Sequence, residues 1–189
     1  MSNNRQILPF PLPQYLATYF GNKLNTKEHL LSNGSLAKPF YVDMFSPFGI
    51  FVYEKLSKAN KPEVLKKGMT FFIEVSLTAG SNFKNVVEGR YALMGLDENA
   101  IKEIELRFKA AFERELLAYV AGAESQHEVS LKRERTGKRC TENYRVRTRA
   151  IKRFCEKNNV LYTDKNLEAW KKRCHRAKKK HTELIYNAL

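Results

Sequence analysis

Residues of types that are often buried in proteins recur at alternating steps of three and four along the last part of the chain. The positions in this series are Leu167, Trp170, Cys174, Ala177, His181, Leu184 and Ala188. The spacing matches one face of an α-helix, which turns once every ~3.6 residues. Thr163 and Asp164 precede the series and are good N-terminal capping residues. The pattern therefore predicts a final helix that starts at these two residues and buries one continuous seam.

A second helix is predicted over residues 142–157. Its narrow apolar stripe comprises Val146, Ala150, Ile151, Phe154 and Cys155. Thr141 is its predicted N-cap, and Asn158 and Asn159 are predicted to end it. Two amphipathic helices joined by so short a connection form either an αα-hairpin or a helix-turn-helix. The hairpin is favoured, because no glycine marks a tight turn and the last helix is long for a recognition helix.

The strongest helical pattern in the first two thirds of the chain is predicted to begin after Asp97, which is a good N-cap. Its apolar stripe consists of Ile101, Ile104, Phe108, Ala111, Phe112, Leu116, Tyr119 and Val120. Such a stripe allows a helix to cover one face of a sheet. The helix is predicted to end at Gly122 or soon after, with an extension to Glu128 as the alternative. Residues 126–140 lose the apolar period and gather basic residues, which predicts a linker.

A hairpin is predicted before this helix, in a region rich in aromatic and β-branched residues. Its strands would be residues 39–45 and 50–56, and the tetrapeptide 46–49 between them has Pro and Gly where a type I turn prefers them. The alternative is a helix over residues 48–58, with Ser46 as N-cap and the following proline in the first turn. The residue content favours the strands.

Two more strands complete the predicted antiparallel sheet of three or four strands. Residues 69–77 alternate between two faces, and residues 85–94 are predicted to form a fourth strand with Gly89 as a candidate bulge. The prolines at every second position from Pro9 to Pro13 predict that residues 1–13 are an irregular, polyproline-like arm on the surface. A short helix is predicted to follow over residues 14–24.

These elements predict an α+β fold with three parts. Residues 1–125 form a domain in which a small antiparallel sheet is covered by a long amphipathic helix. Residues 126–140 are the basic linker. Residues 141–189 are a basic C-terminal region of two helices, arranged as an αα-hairpin or a helix-turn-helix.

The positive charge of the chain is concentrated in one stretch. Residues 131–181 hold nineteen Lys and Arg and five Asp and Glu, and this difference of fourteen equals the formal net charge of the whole chain, +14. Basic and acidic residues therefore balance over the remaining chain. Charge segregated in this way indicates a polyanionic partner, and a nucleic acid is the simplest one.

The candidate binding residues are the basic side chains of this stretch. They are Lys132, Arg133, Arg135, Lys138, Arg139, Arg145, Arg147, Arg149, Lys152, Arg153, Lys165, Lys171, Lys172, Arg173, Arg176, Lys178, Lys179 and Lys180. Arginine presents a planar fork of donors that suits phosphate oxygens. In the helix-turn-helix alternative, the residues nearest to base edges would be Lys165, Asn166, Glu168 and Lys172.

Other chemistry has weaker support in the sequence. The three cysteines are odd in number, which favours reduced thiols over a disulfide framework. The residues Cys155, Cys174, His175 and His181 lack the short paired spacing of a structural zinc site. The carboxylates Asp43, Glu54 and Glu74 lack the arrangement of a metal-dependent nuclease, and no nucleotide-binding or hydrolase motif occurs. No catalytic residue, metal or cofactor is therefore predicted.

The expected function is non-enzymatic nucleic-acid binding through phosphates, with DNA favoured over RNA and with residues 1–125 mediating protein contacts or self-association. Two alternatives stay open. One is a structural protein of a virion or other assembly, whose basic tail meets genome or an acidic neighbour, and the other is a nuclease. The basic helices are in the general style of phage and mobile-element proteins, although no motif carries a family resemblance.

The chain is expected to lie in the cytoplasm or inside a virion, without a membrane partner. No apolar run approaches the ~18 residues that span a bilayer. The first residues also lack the apolar region of a signal peptide.

Overall fold

The computed structural model describes most of the chain. The described residues are 5–24, 28–30, 34, 36–59, 68–76, 93–133 and 142–186, of which residues 129–133, 142–144 and 179–186 are described by their backbone alone. Five helices and seven short strands lie in these ranges, so the predicted α+β class is confirmed. The chain divides into two compact units, Met1–Lys109 and Ala110–Leu189. The sequence had placed the boundary later, near residue 125.

The elements follow one another in a mixed order. The strands are β1 (Arg5–Phe10), β2 (His29–Leu30), β3 (Leu36–Ala37), β4 (Phe40–Tyr41), β5 (Leu56–Ala59), β6 (Phe71–Ser76) and β7 (Leu93–Leu96). The helices are α1 (Gln14–Lys23), α2 (Pro47–Lys55), α3 (Glu98–Arg133), α4 (Glu142–Lys157) and α5 (Asp164–Tyr186). The predicted helix over residues 14–24 is confirmed as α1.

Strand β6 is the centre of the main sheet, which confirms the strand predicted over residues 69–77. It pairs antiparallel with β1 and parallel with β4, so that Ile73 lies opposite Leu8 on one side and Phe40 on the other. The sheet is thus mixed, whereas the sequence predicted antiparallel pairing throughout. The parallel pair arises because a long connection that contains α2 separates β4 from β6, and parallel strands need such a crossover.

The N-terminal segment is a strand of this sheet, and the prediction of a polyproline-like surface arm over residues 1–13 is wrong. Residues 5–10 pair with β6 over their whole length, and Leu8 and Phe10 are fully buried. Pro9 is tolerated there because β1 is an edge strand of the sheet. Apolar residues alternate with the prolines at Leu8, Phe10 and Leu12. A period of two is the signal of a β-strand, and the proline spacing obscured it.

Residues 47–55 form a helix, so the favoured hairpin over 39–56 is wrong and the helical alternative is right. The backbone N–H of Gly49 donates to the hydroxyl oxygen of Ser46 over 2.9 Å, and Pro47 occupies the first turn. This N-cap satisfies a backbone donor that would otherwise lack a partner at the helix start. The helix buries Val52 and Tyr53, and aromatic content in such a segment reports burial as much as strand formation.

Substitution Gly49→Ala is expected to lower the free energy of unfolding by about 1–3 kcal/mol, the usual cost of overpacking. A Cβ at this position would lie 1.8 Å from the carbonyl oxygen of Asp43, so the backbone must shift. Urea denaturation followed by far-UV circular dichroism measures the effect. Gly21→Ala in α1 is the matched control, because a Cβ there meets no atom within 4 Å. An equal loss in both variants would contradict the proposed clash.

Helix α3 starts as predicted and ends later than predicted. The carboxylate of Asp97 accepts the backbone N–H of Ala100 over 2.7 Å, which confirms the N-cap. The helix then runs through Gly122 to Arg133, so residues 126–133 are helical turns where a linker was predicted. A glycine in a helix costs only ~1 kcal/mol relative to alanine, too little to end so long an element. The remaining predicted linker residues, 134–140, lie outside the described residues.

The core of the first unit gathers around Phe108. The ring centroid of Phe108 lies 4.6 Å from that of Phe20, 5.2 Å from that of Phe71 and 5.3 Å from that of Phe48. The Phe10 ring lies at 6.4 Å. These rings come from α1, β6, α2 and β1, so one α3 side chain packs against two helices and two strands of the unit.

Two small strand pairs complete the first unit. Strands β2 and β3 form a hairpin, and β5 pairs antiparallel with β7. The side-chain amide of Gln6 joins β1 to β7, because it donates to the carbonyl oxygen of Met94 and accepts its N–H, each over 2.8 Å. Most of the strand predicted over residues 85–94, including Gly89, lies outside the described residues. Its last two residues are described, and they begin β7.

Candidate functional site

The candidate site is built on the second unit, in which α4 has the predicted bounds, Glu142–Lys157. Its predicted end at Asn158 and Asn159 is confirmed. Asn159 has a φ of 51°, and the N–H of Val160 donates to the carbonyl oxygen of Cys155 over 2.8 Å. This is a Schellman C-cap, in which asparagine takes the left-handed position that glycine usually fills. The chain therefore turns sharply from α4 towards α5 without a glycine.

Helix α5 starts where the sequence predicts, because the hydroxyl oxygen of Thr163 accepts the N–H of Asn166 over 3.3 Å. Leu167, Trp170 and Cys174 of the predicted seam are buried, and Ala177 is partly buried. The later seam side chains, His181, Leu184 and Ala188, lie outside the described residues. The described part of the seam is confirmed.

The two C-terminal helices pack with a third helix, the part of α3 that lies in the second unit. The Phe112 ring lies 5.7 Å from that of Phe154 and 5.3 Å from that of Trp170, and Tyr119 lies 5.6 Å from Phe154. The predicted hairpin of α4 and α5 is thus part of a three-helix arrangement. In the sequence, the signal for this three-helix arrangement is the length of the apolar stripe of α3. The stripe continues to Val120 and is longer than a small sheet can cover.

A buried carboxylate on α3 organises part of the positive charge. Glu124 is 6% exposed and follows Val120 at the same four-residue spacing as the buried residues before it. Its Oε1 lies 2.7 Å from Nε of Arg147, and its Oε2 lies 3.6 Å from Nζ of Lys178. Both partners were predicted to bind nucleic acid, and the structure places both against a carboxylate of the same unit.

Two other predicted binding residues also lie in ion pairs. Arg173 contacts Glu113 over 2.8 Å, and Lys171 contacts Glu168 over 2.5 Å. Lys178 has a second partner in Glu128, at 3.3 Å. These carboxylates offset part of the positive charge within the unit.

The remaining described candidates are exposed and lie beyond ion-pair distance of any carboxylate in the described part of the chain. They are Arg145, Arg149, Lys152 and Arg153 on α4, and Lys165, Lys172 and Arg176 on α5. Lys157, which was not predicted, shares these properties. Arg145, Arg149, Arg153 and Lys157 stand at four-residue steps on α4, and Lys152 lies three residues after Arg149, so they share one helix face. This set is called the open cations below.

The side chains of the other predicted binding residues lie outside the described part of the structure. They are Lys132, Arg133, Arg135, Lys138, Arg139, Lys179 and Lys180. The backbone of four of them, Lys132, Arg133, Lys179 and Lys180, is helical.

The two described cysteines are buried inside the second unit. Burial raises the pKa of the Cys155 thiol to about 12 and that of the Cys174 thiol to about 11. Both thiols are therefore protonated at neutral pH, and a protonated thiol is neither a good nucleophile nor a metal ligand. Among the residues that the structure describes, no three His, Cys, Asp or Glu side chains group as metal ligands.

Two of the three carboxylates considered for a nuclease take structural roles in the first unit. Asp43 accepts the backbone N–H of Phe45 over 3.1 Å, and Glu74 is buried with Arg5 at 3.2 Å. Glu54 lies exposed on α2, where the sequence had favoured a strand.

None of the described helices is both long and apolar enough to cross a bilayer.

Comparison with protein-family models, curated proteins and solved structures finds no match for this chain.

Proposed function

We propose that this protein is a non-enzymatic nucleic-acid-binding protein that contacts phosphates through the open cations of α4 and α5. One observation carries the proposal. Among the described side chains of the second unit, some cations are paired with carboxylates, and others are exposed with no described carboxylate within ion-pair distance. Exposed charge of one sign that the fold does not neutralise favours binding of a polyanion.

The α4 members of the set are arranged in a way that suits a phosphate backbone. Arg145, Arg149 and Arg153 follow one another at four-residue steps, so each lies ~6 Å further along the helix axis. Arginine forms two parallel hydrogen bonds to phosphate oxygens, and regularly spaced guanidinium groups meet successive phosphates along a strand. DNA is the partner we favour, and both duplex and single-stranded DNA offer this repeating charge.

Binding is expected to weaken steeply with salt. If six to ten cations meet phosphates, affinity for a labelled duplex falls ~10³–10⁵-fold between roughly 50 and 200 mM salt, because bound counterions are released. Replacement of Arg149, Lys152 and Arg153 by glutamine lowers the slope of log affinity against log salt by about 2 to 3. Fluorescence anisotropy of the full-length protein measures both quantities.

A triple variant of the first unit is the matched control for charge. Lys58, Lys102 and Lys109 are exposed lysines there, and their replacement by glutamine removes the same net charge. We expect this control to keep most of the salt slope. Equal slopes in the two triple variants would contradict a site on α4, and a lack of binding at low salt would contradict the proposed function.

We further propose that the first unit mediates self-association. Leu30 and Leu36 are register partners in the β2–β3 hairpin and are 73% and 66% exposed. Opposite residues on paired strands project to the same side, so the two leucines make adjoining apolar surface. Sedimentation velocity is expected to show association that rises with concentration and is lost when both leucines become serine. Leu161→Ser, an exposed leucine of the second unit, should leave association unchanged, and a monomer at all concentrations would overturn this part.

A further inference from the structure

A groove of about 540 Å³ lies between α3 and α4, wholly within the second unit. Its lining includes Tyr119 and His127 from α3 and Arg149 and Arg153 from α4. The groove thus combines two of the open cations with aromatic side chains. The proposed phosphate contacts alone account for the cations and leave the aromatic lining unused.

Small residues leave space between the two helices. Gly122 lines the groove, and a Cβ built on it meets no atom within 4 Å. Tyr119 is only partly buried, and its ring packs on Phe154 at a centroid distance of 5.6 Å. A ring held in this way is positioned beside the groove before any ligand arrives, which lowers the entropy lost on binding.

The cations and the ring suit different parts of one ligand. Arg149 and Arg153 are one helical turn apart, and no carboxylate of the described residues lies within ion-pair distance of either. Guanidinium groups bind phosphate oxygens, whereas an aromatic ring binds the face of a base. A nucleotide strand whose bases are unstacked carries both groups within a short distance. In a duplex the base faces are covered by their neighbours, so only the phosphates would be recognised.

We propose that this groove binds a single-stranded segment of nucleic acid, with a base stacked on Tyr119 and adjacent phosphates at Arg149 and Arg153. This inference rests on the proposed function and specifies the form of nucleic acid that the α3–α4 groove selects. Duplex contacts through the other open cations are independent of the groove. An acidic polypeptide would use the same arginines without a role for the ring, which makes it a distinguishable outcome.

The test compares a labelled oligothymidine with a duplex of equal length, using the full-length protein and anisotropy. Substitution Tyr119→Leu is expected to weaken single-strand binding about 5- to 150-fold, the range for loss of one stacked base. Duplex affinity should change less than about twofold, because the leucine removes no charge. Tyr41→Leu, which removes a partly exposed tyrosine of the first unit, is the control and should change neither affinity.

A second measurement does not depend on how the variant folds. Oligothymidine that contains 5-bromodeoxyuridine is irradiated in complex with the wild-type protein, and mass spectrometry identifies the attached peptide. We expect attachment within residues 118–127, where Tyr119 and His127 lie. Unchanged single-strand binding by Tyr119→Leu, together with attachment elsewhere, would overturn the groove while leaving the proposed function in place.

The remaining outcomes are also decisive. If neither nucleic acid binds, the proposed function and the groove inference both fail. If polyglutamate competes as well as oligothymidine and Tyr119→Leu has no effect on either, the groove belongs to an acidic polypeptide and the inference is wrong.

Discussion

Replacement of Glu124 by alanine is expected to lower the free energy of unfolding by about 3–5 kcal/mol, the usual cost of removing one partner from a buried ion pair. The loss arises because Arg147 keeps its charge while its side chain, like that of Glu124, is mostly shielded from water. The lone tryptophan of the chain, Trp170, lies in the same unit and packs on Phe112. Urea denaturation followed by the fluorescence of Trp170 therefore reports the change in stability of the second unit.

Two further variants separate charge from packing. Glu128→Ala removes a carboxylate that is half exposed and also contacts Lys178, so we expect a loss below about 1 kcal/mol. Combining Glu124→Leu with Arg147→Met replaces the buried pair by apolar side chains and is expected to restore most of the stability. A double variant as unstable as Glu124→Ala would show that the cost comes from packing and would contradict the assignment to an unpaired charge.

Substitution Phe108→Ala is expected to cost about 3–5 kcal/mol in the first unit, the range for loss of a buried phenylalanine. The Phe108 ring contacts the rings of Phe20, Phe48 and Phe71, so its removal leaves a cavity bordered by three elements. Hydrogen exchange measured by mass spectrometry should show faster exchange of the β6 amides, because their protection depends on this core. Far-UV circular dichroism in urea gives the accompanying change in stability.

The neighbouring residue Leu106 provides the control. It lies on the same helix and is 63% exposed, so Leu106→Ala should change the free energy of unfolding by less than about 0.5 kcal/mol. Similar losses in the two variants would show that helix propensity, and not the aromatic core, sets the stability at this position. A loss below about 1 kcal/mol for Phe108→Ala would contradict its central role in the first unit.

The candidate site was predictable to the extent that it depends on composition. The charge of residues 131–181 and the bounds of α4 follow from counts and periods within a short window. The division of the cations into paired and open sets does not follow from them. Arg147 and Arg149 look alike in the sequence, yet one meets Glu124 on α3 and the other is exposed, with no carboxylate of the described residues within ion-pair distance.

The fold predictions failed where local preference and tertiary contacts disagree. Segment 47–55 has strand-like composition, but a capped first turn and burial of Val52 and Tyr53 make it a helix. Segment 5–10 carries a proline that argues against a sheet, but pairing with β6 at an edge makes it a strand. The Ser46 cap is a local signal, whereas the burial of Val52 and Tyr53 and the pairing of residues 5–10 depend on partners outside the window over which propensity acts.

By itself the sequence determined where the long helices begin and how the charge is segregated, because periodicity, capping residues and composition are properties of neighbouring positions. Only the tertiary structure decided that α3 supplies the third helix of the second unit, that Glu124 offsets Arg147 and Lys178, and that Tyr119 lines a groove with Arg149 and Arg153. These contacts join residues far apart along the chain. They form because packing the apolar stripes fixes which polar side chains are brought together, and no local pattern encodes that choice.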